Sequence, residues 1–179
     1  MCSSDLPDEA VKGMAREWAL GPRLDEDESW ALDQIVGFLA SCGHPEGIQA
    51  LVAGLRERPV RVRMTVVEGV ADRGPFRAFR PGRGVPEPDG ETRAAIDAAI
   101  DNLLVSALED EEEQTGRSGS MGDQSYSDPR VCDIAAHHLA TRWEGKVAFR
   151  LDGTEEARDA AILALKNLWR REHGDEPPR

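Results

Sequence analysis

Apolar residues recur at spacings of three and four along most of the chain, and sustained alternation with period two is nearly absent, so the pattern predicts helices throughout. Val11, Met14, Ala15, Trp18 and Ala19 share one face of a first helix over 7–20, closed by Gly21-Pro22. A second helix follows the acidic run Asp25–Glu28, which suits its positive end. It should bury Trp30, Leu32, Ile35, Val36, Leu39 and Ala40 and stop at Gly43. His44-Pro45 opens a third helix with Ile48, Leu51, Val52 and Leu55, broken at Arg58-Pro59. The fourth carries Val62, Val66, Val67, Val70 and Ala71 to Gly74; valine is a weak helix former, which leaves a strand over 60–67 as the competing reading.

Residues 75–90, rich in Pro, Gly and Arg, read as a long loop. A fifth helix over 91–110 carries Ile96, Ile100, Leu103, Leu104, Val105 and Leu108. The acids, glycines and serines of 111–127 predict a mobile insertion. Asp128-Pro129 has the cap-then-proline order of a helix start, and the sixth helix should bury Val131, Ile134, Ala135, Leu139 and Trp143. A turn over 144–153 offers Val147 and Phe149 to tuck beneath the helices. The seventh helix, 154–173, carries Ala157, Ala161, Ile162, Leu165, Leu168 and Trp169, and 175–179 should be a disordered tail.

Superimposing the helices exposes a repeat. Ile35-Val36-x-x-Leu39-Ala40-x-x-Gly43 matches Val66-Val67-x-x-Val70-Ala71-x-x-Gly74, 31 residues later, and Ala135-Ala136-x-x-Leu139-Ala140 is a third copy. The helices ahead of them correspond as well: Leu51-Val52-x-x-Leu55 aligns with Leu104-Val105-x-x-Leu108. Each unit is a helical hairpin with apolar stripes on both members, and a lone hairpin cannot cover both, so neighbours must stack. The pattern resembles HEAT repeats in their short form of roughly thirty residues, as in bacterial proteins and HEAT-like lyase subunits. Asp128-Pro129-Arg130-Val131-x-Asp133-x-Ala135-Ala136-x-x-Leu139 carries the likeness most clearly, and Pro59-x-x-Val62 to Gly74 more weakly. Cys132 stands where the family usually has Arg, which Arg63 keeps in the second copy, and the two loops interrupt the period. The resemblance implies an all-α superhelix of stacked hairpins over 7–174, with second helices lining a concave groove. That groove would present Arg63, Glu68, Asp72, Asp133 and His137.

The composition narrows the chemistry. Of 179 residues, 34 are acidic and 22 basic, a net charge of −12. Such a balance repels phosphates and argues against nucleic-acid binding, while favouring a protein or peptide partner, positively charged for electrostatic steering. No segment is apolar enough to span a membrane, and three well-separated cysteines without a CxxC point to a reducing cytoplasm. Met1 to Leu6 reverse-translates naturally as GTG-TGC-TCT-TCC-GAT-CT, the end of a common sequencing-library adapter. Residues 1–6 are therefore expected to be a non-native leader, with the true chain starting upstream.

Local motifs for catalysis are thin. Asp133 and His137 lie four apart on one helical face, but a metal needs three or four converging ligands, so no metal and no cofactor is expected. There is no G-x-S-x-G, and Cys42 and Cys132 sit in apolar segments without the electropositive setting of a nucleophile. The strongest contact candidate is Arg77, Arg80 and Arg83 with Phe76 and Phe79, a cationic and aromatic loop in an acidic chain. Its alternative is to fold back, with rings plugging the core and arginines neutralising acidic helices. The expected function is a non-enzymatic interaction scaffold. Alternatives are an accessory subunit or lyase of the kind that attaches tetrapyrroles, a HEAT-like DNA-repair glycosylase, or the C-terminal array of a larger protein.

Overall fold

The three-and-four spacing folds as helix along most of the described chain, including the valine-rich stretch for which a strand was the competing expectation. The computed structural model describes residues 6–20, 29–72 and 89–174. Among them are seven α-helices and one antiparallel pair of strands: α1 (Leu6–Leu20), α2 (Ser29–Ser41), α3 (Pro45–Val52), α4 (Val60–Asp72), α5 (Gly90–Ala107), β1 (Ser118–Met121), β2 (Gln124–Ser127), α6 (Val131–Arg142) and α7 (Glu155–His173). The Gly21-Pro22 stop, the acidic run 25–28, Gly74 and the tail 175–179 lie outside the described residues. The chain divides into two packing units, Met1–Ile100 and Asp101–Arg179, with the division inside α5.

In the first unit α1 packs on α2 and on α3, while α2 packs on α3 and on α4. Helices two apart in sequence thus lie side by side. Leu32, Ile35, Val36, Leu39 and Ala40 of α2 are buried, as are Val66, Val67 and Val70 of α4. Gly69 of α4 faces Val36, since a Cβ there would sit 3.5 Å from its Cγ1. The buried face of α1 is narrower than the spacing suggested: Val11 and Trp18 are buried, Met14 and Ala19 exposed. Leu55 is buried, but in a separate 3-10 turn (Leu55–Glu57), because Gly54 at φ 73° ends the helix that was expected to run through it. Arg58 closes this corner. Its guanidinium lies 4.3 Å over the Trp18 ring and donates to the Trp18 carbonyl, one of the free acceptors at the α1 C-terminus. The indole Nε1 of Trp18 donates in turn to the Ala53 carbonyl at 3.0 Å.

In the second unit α6 packs on α7 and is buried nearly all round: every residue from Val131 to Ala140 except His137 is shielded from solvent. Such a helix belongs to a core rather than a surface. Trp143, expected to be buried, is half-exposed at the C-cap, and its Nε1 donates to Asp101 at 3.2 Å. Phe149 and Leu151 are buried in the connection to α7, whose own start is capped by Thr154 accepting from the Ala157 N–H. No helix of the described residues is long and apolar enough to cross a membrane.

Segment 111–127, expected as a mobile insertion, forms a hydrogen-bonded hairpin. Gly119 pairs with Tyr126 and Met121 with Gln124 across a two-residue turn in which Gly122 has φ 60° and Asp123 does not, the signature of type II′. A Cβ on Gly119 would lie 2.6 Å from Tyr126 Oη, so the glycine lets the ring cross the partner strand. Asp128 is likewise not the cap that Asp128-Pro129 suggested. It sits at φ 48° and accepts from the Gly116 N–H at the base of the hairpin. The start of α6 is satisfied instead by chain returning from α5: Val131 N donates to Glu112 O at 3.1 Å and Cys132 N to Asp110 O at 2.9 Å.

The contact between α2 and α3 leaves no room at Gly47, where a Cβ would lie 2.5 Å from the Leu39 carbonyl oxygen and 2.6 Å from Cys42 Sγ. The oxygen is backbone and cannot swing away. Overpacking of about 1–3 kcal/mol should therefore exceed the helix-propensity gain of ~1 kcal/mol, and Gly47→Ala should lower stability in urea denaturation. A stabilised variant would show that the two helices are further apart.

Candidate functional site

The polar residues of α6 separate into two groups a turn apart. Asp133, only 1% exposed, serves as the shared anion of a network at the N-terminal ends of α6 and α7. Arg130 grips it with two bonds, Nε to Oδ2 at 3.1 Å and Nη2 to Oδ1 at 2.9 Å, and Arg158 Nε approaches Oδ1 at 3.3 Å. Arg130 also reaches Asp159 at 2.7 Å and Glu155 at 3.7 Å on α7. These bonds hold the Arg130 guanidinium well above its ordinary pKa. Neighbouring Cys132 is pushed up to about 12, first by burial and then by Asp133, so it remains a protonated thiol at neutral pH rather than the nucleophilic thiolate. Asp133 thus clamps two helices and is not presented to a groove.

His137, one turn on, is half-buried and lines an open cleft of about 280 Å³. Three pieces of the second unit build it. The C-terminal half of α6 contributes His137, Ala140 and Thr141, the α6–α7 connection gives Gly145, Val147, Ala148 and Phe149, and β2 supplies Gln124. The connection leaves α6 sharply: Glu144 and Gly145 both have positive φ, and the Gly145 N–H donates back to Ala140 O at 2.9 Å. The hairpin is fastened as the opposite wall by Gln124 Oε1, which accepts from the Leu151 N–H at 2.7 Å. Thr141 donates its hydroxyl proton to the His137 carbonyl at 3.0 Å. His137 and His138 meet edge to face at 5.6 Å, and His138 is buried.

The remaining expected contact residues fall elsewhere. Arg63 of α4 is buried and its Nη1 donates to the Arg56 carbonyl at 3.4 Å, so it too is withdrawn from solvent. Glu68 is half-buried on the same helix, and the Asp72 side chain lies outside the described residues. Phe76, Arg77, Phe79, Arg80 and Arg83 lie outside them as well. Gln124, Thr141 and Gly145 were not singled out from the sequence. The two-residue Gly122-Asp123 turn is the signal that would have placed Gln124 in a hairpin. Among the described residues no three His, Cys, Asp or Glu side chains stand close enough to hold a metal ion. Comparison with protein-family models, with curated proteins and with solved structures returned no match.

Removing one member of the buried charge network should be expensive. Asp133→Ala removes the buried anion that Arg130 and Arg158 share, leaving Arg130 only the exposed Asp159 and Glu155, and should lose about 3 kcal/mol of stability, near the lower end for a buried pair because both arginines keep some solvent. Asp133→Asn, which keeps an acceptor oxygen, should lose less. Urea denaturation checks both, and an alanine variant as stable as the parent would show that the network does not hold α6 to α7.

Proposed function

We propose that this chain is a non-enzymatic interaction scaffold whose helical hairpins stack as HEAT-like repeats, working in a reducing cytoplasm on a protein or peptide partner of positive charge. The observation that carries the reading is the packing of α1 on α3 and of α2 on α4. In a stack of hairpins the first helix of one unit lies against the first of the next, and the second against the second. In the first unit the positions that repeat in the sequence agree with this, because Val36 and Leu39, and Val67 and Val70, are buried. Glycine at 69 opposite Val36 is the kind of small-against-branched contact that close stacking of second helices uses. The net charge of −12 supplies the selectivity for a cationic partner.

Two measurements test the reading together. A quasi-one-dimensional array tolerates an extra unit, so duplicating residues 44–74 should give a folded protein with more helical signal and cooperative unfolding. A chain that aggregates or loses helicity would contradict stacking. Fluorescence anisotropy with a labelled Lys/Arg-rich peptide and an Asp/Glu-rich peptide should show binding of the basic one alone, weakening as salt rises from 50 to 300 mM (about two- to threefold in Debye screening). Binding of the acidic peptide, or of neither, would contradict the partner assignment.

A further inference from the structure

The cleft between the hairpin and α6 has a directional polar wall over an apolar floor. From this the geometry points to a second site, one that takes a small single-ring acyl compound, a carboxamide or carboxylate, with its carbonyl oxygen on Gln124. This inference does not depend on the repeat reading, since every residue it uses lies in the second unit.

Size sets the first limit. The cleft holds about 280 Å³, against ~150 Å³ for a cavity that takes benzene and ~300 Å³ for the smallest drug-sized pockets. One ring with one substituent fits that interval. The apolar lining of the cleft is half-buried Val147 with the edges of Ala140 and Phe149, both otherwise buried, and Gly145 adds no side chain to fill the space.

Hydrogen-bond directions set the second limit. A backbone N–H can only donate, so its bond from Leu151 fixes the Gln124 oxygen as the acceptor and leaves the NH₂ end as the donor of that side chain. A carbonyl can only accept, so the Thr141 proton is committed to His137 O and the Thr141 oxygen is left to accept. A ligand with a carbonyl oxygen meets the Gln124 NH₂, and a carboxamide meets the Thr141 oxygen as well. An ammonium group can donate to the Thr141 oxygen but meets the Gln124 NH₂ donor against donor, so it binds more weakly than a carbonyl ligand. The cleft therefore selects by hydrogen-bond polarity more than by charge.

The test titrates benzamide, benzoate and benzylamine into ¹⁵N-labelled full-length protein, followed by amide shifts. Benzamide should bind in the millimolar range expected of a nine-atom probe, on the order of 1 mM. It should move the Gln124 side-chain NH₂ and the amides of Thr141, Gly145 and Ala148; benzoate should follow more weakly, and benzylamine should move them least. Gln124→Glu keeps the acceptor for Leu151 and exchanges the donor for oxygen, so it should weaken benzamide at least tenfold. Should that variant unfold, Ala148→Phe, at an exposed position, fills the cleft and should abolish the shifts while the protein stays folded. Absence of benzamide shifts at these residues, equal shifts with benzylamine, or full binding by a folded variant would each overturn the proposal.

Discussion

The buried arc of α2 is too wide for any single neighbour to cover. Leu32, Ile35, Val36, Leu39 and Ala40 are all shielded, and together they span more than the ~100° stripe by which a surface helix meets its core. Coverage from α1, α3 and α4 solves the problem, and each of those helices is positioned by solving it. Gly47 permits α3 to approach the C-terminal end of α2, Gly69 permits α4 to approach Val36, and Arg58 seals α1 to the segment joining α3 and α4. The arrangement is driven by area removed from water, and the glycines set how close the helices come.

The second unit meets a sharper form of the same demand. Helix α6 is enclosed almost completely, so its polar groups must be satisfied from within the protein. Two backbone carbonyls, from Asp110 and Glu112, take the N–H groups of its first residues, and two arginines neutralise Asp133. Holding 110–112 against the start of α6 brings the chain on either side of the hairpin together at its base. That placement leaves β2 beside the α6–α7 connection, and the cleft is the gap between them. A structural requirement at one end of α6 thus builds the concave surface at the other.

Helix positions were legible because burial here depends mainly on spacing. The recurrence of the motif along the sequence has the same origin: Val36 and Val67, or Leu39 and Leu139, are buried in different helices. Chain breaks depending on one backbone angle were harder to read, as at Gly54, where helical spacing continues through Leu55 although the helix does not. The hairpin escaped because its strands, Ser-Gly-Ser-Met and Gln-Ser-Tyr-Ser, have almost no apolar residues to alternate. Asp133 misled for an electrostatic reason. A carboxylate on a helix face reads as solvated until Arg130, three residues away, and Arg158, in another helix, are known to surround it. The candidate site suffered most, since it joins residues from Gln124 to Phe149 through a hairpin and a turn that no periodicity describes.

The packing of α2 on α4 comes down to one short distance. A Cβ on Gly69 would stand 3.5 Å from Val36 Cγ1, and one α-hydrogen of the glycine points along that direction. Nuclear Overhauser spectroscopy on methyl-labelled protein should give a strong cross-peak between a Val36 methyl and a Gly69 α-proton. Loss of that cross-peak in the folded protein would mean that α2 and α4 do not lie side by side, and the proposal of stacked hairpins would fail with it.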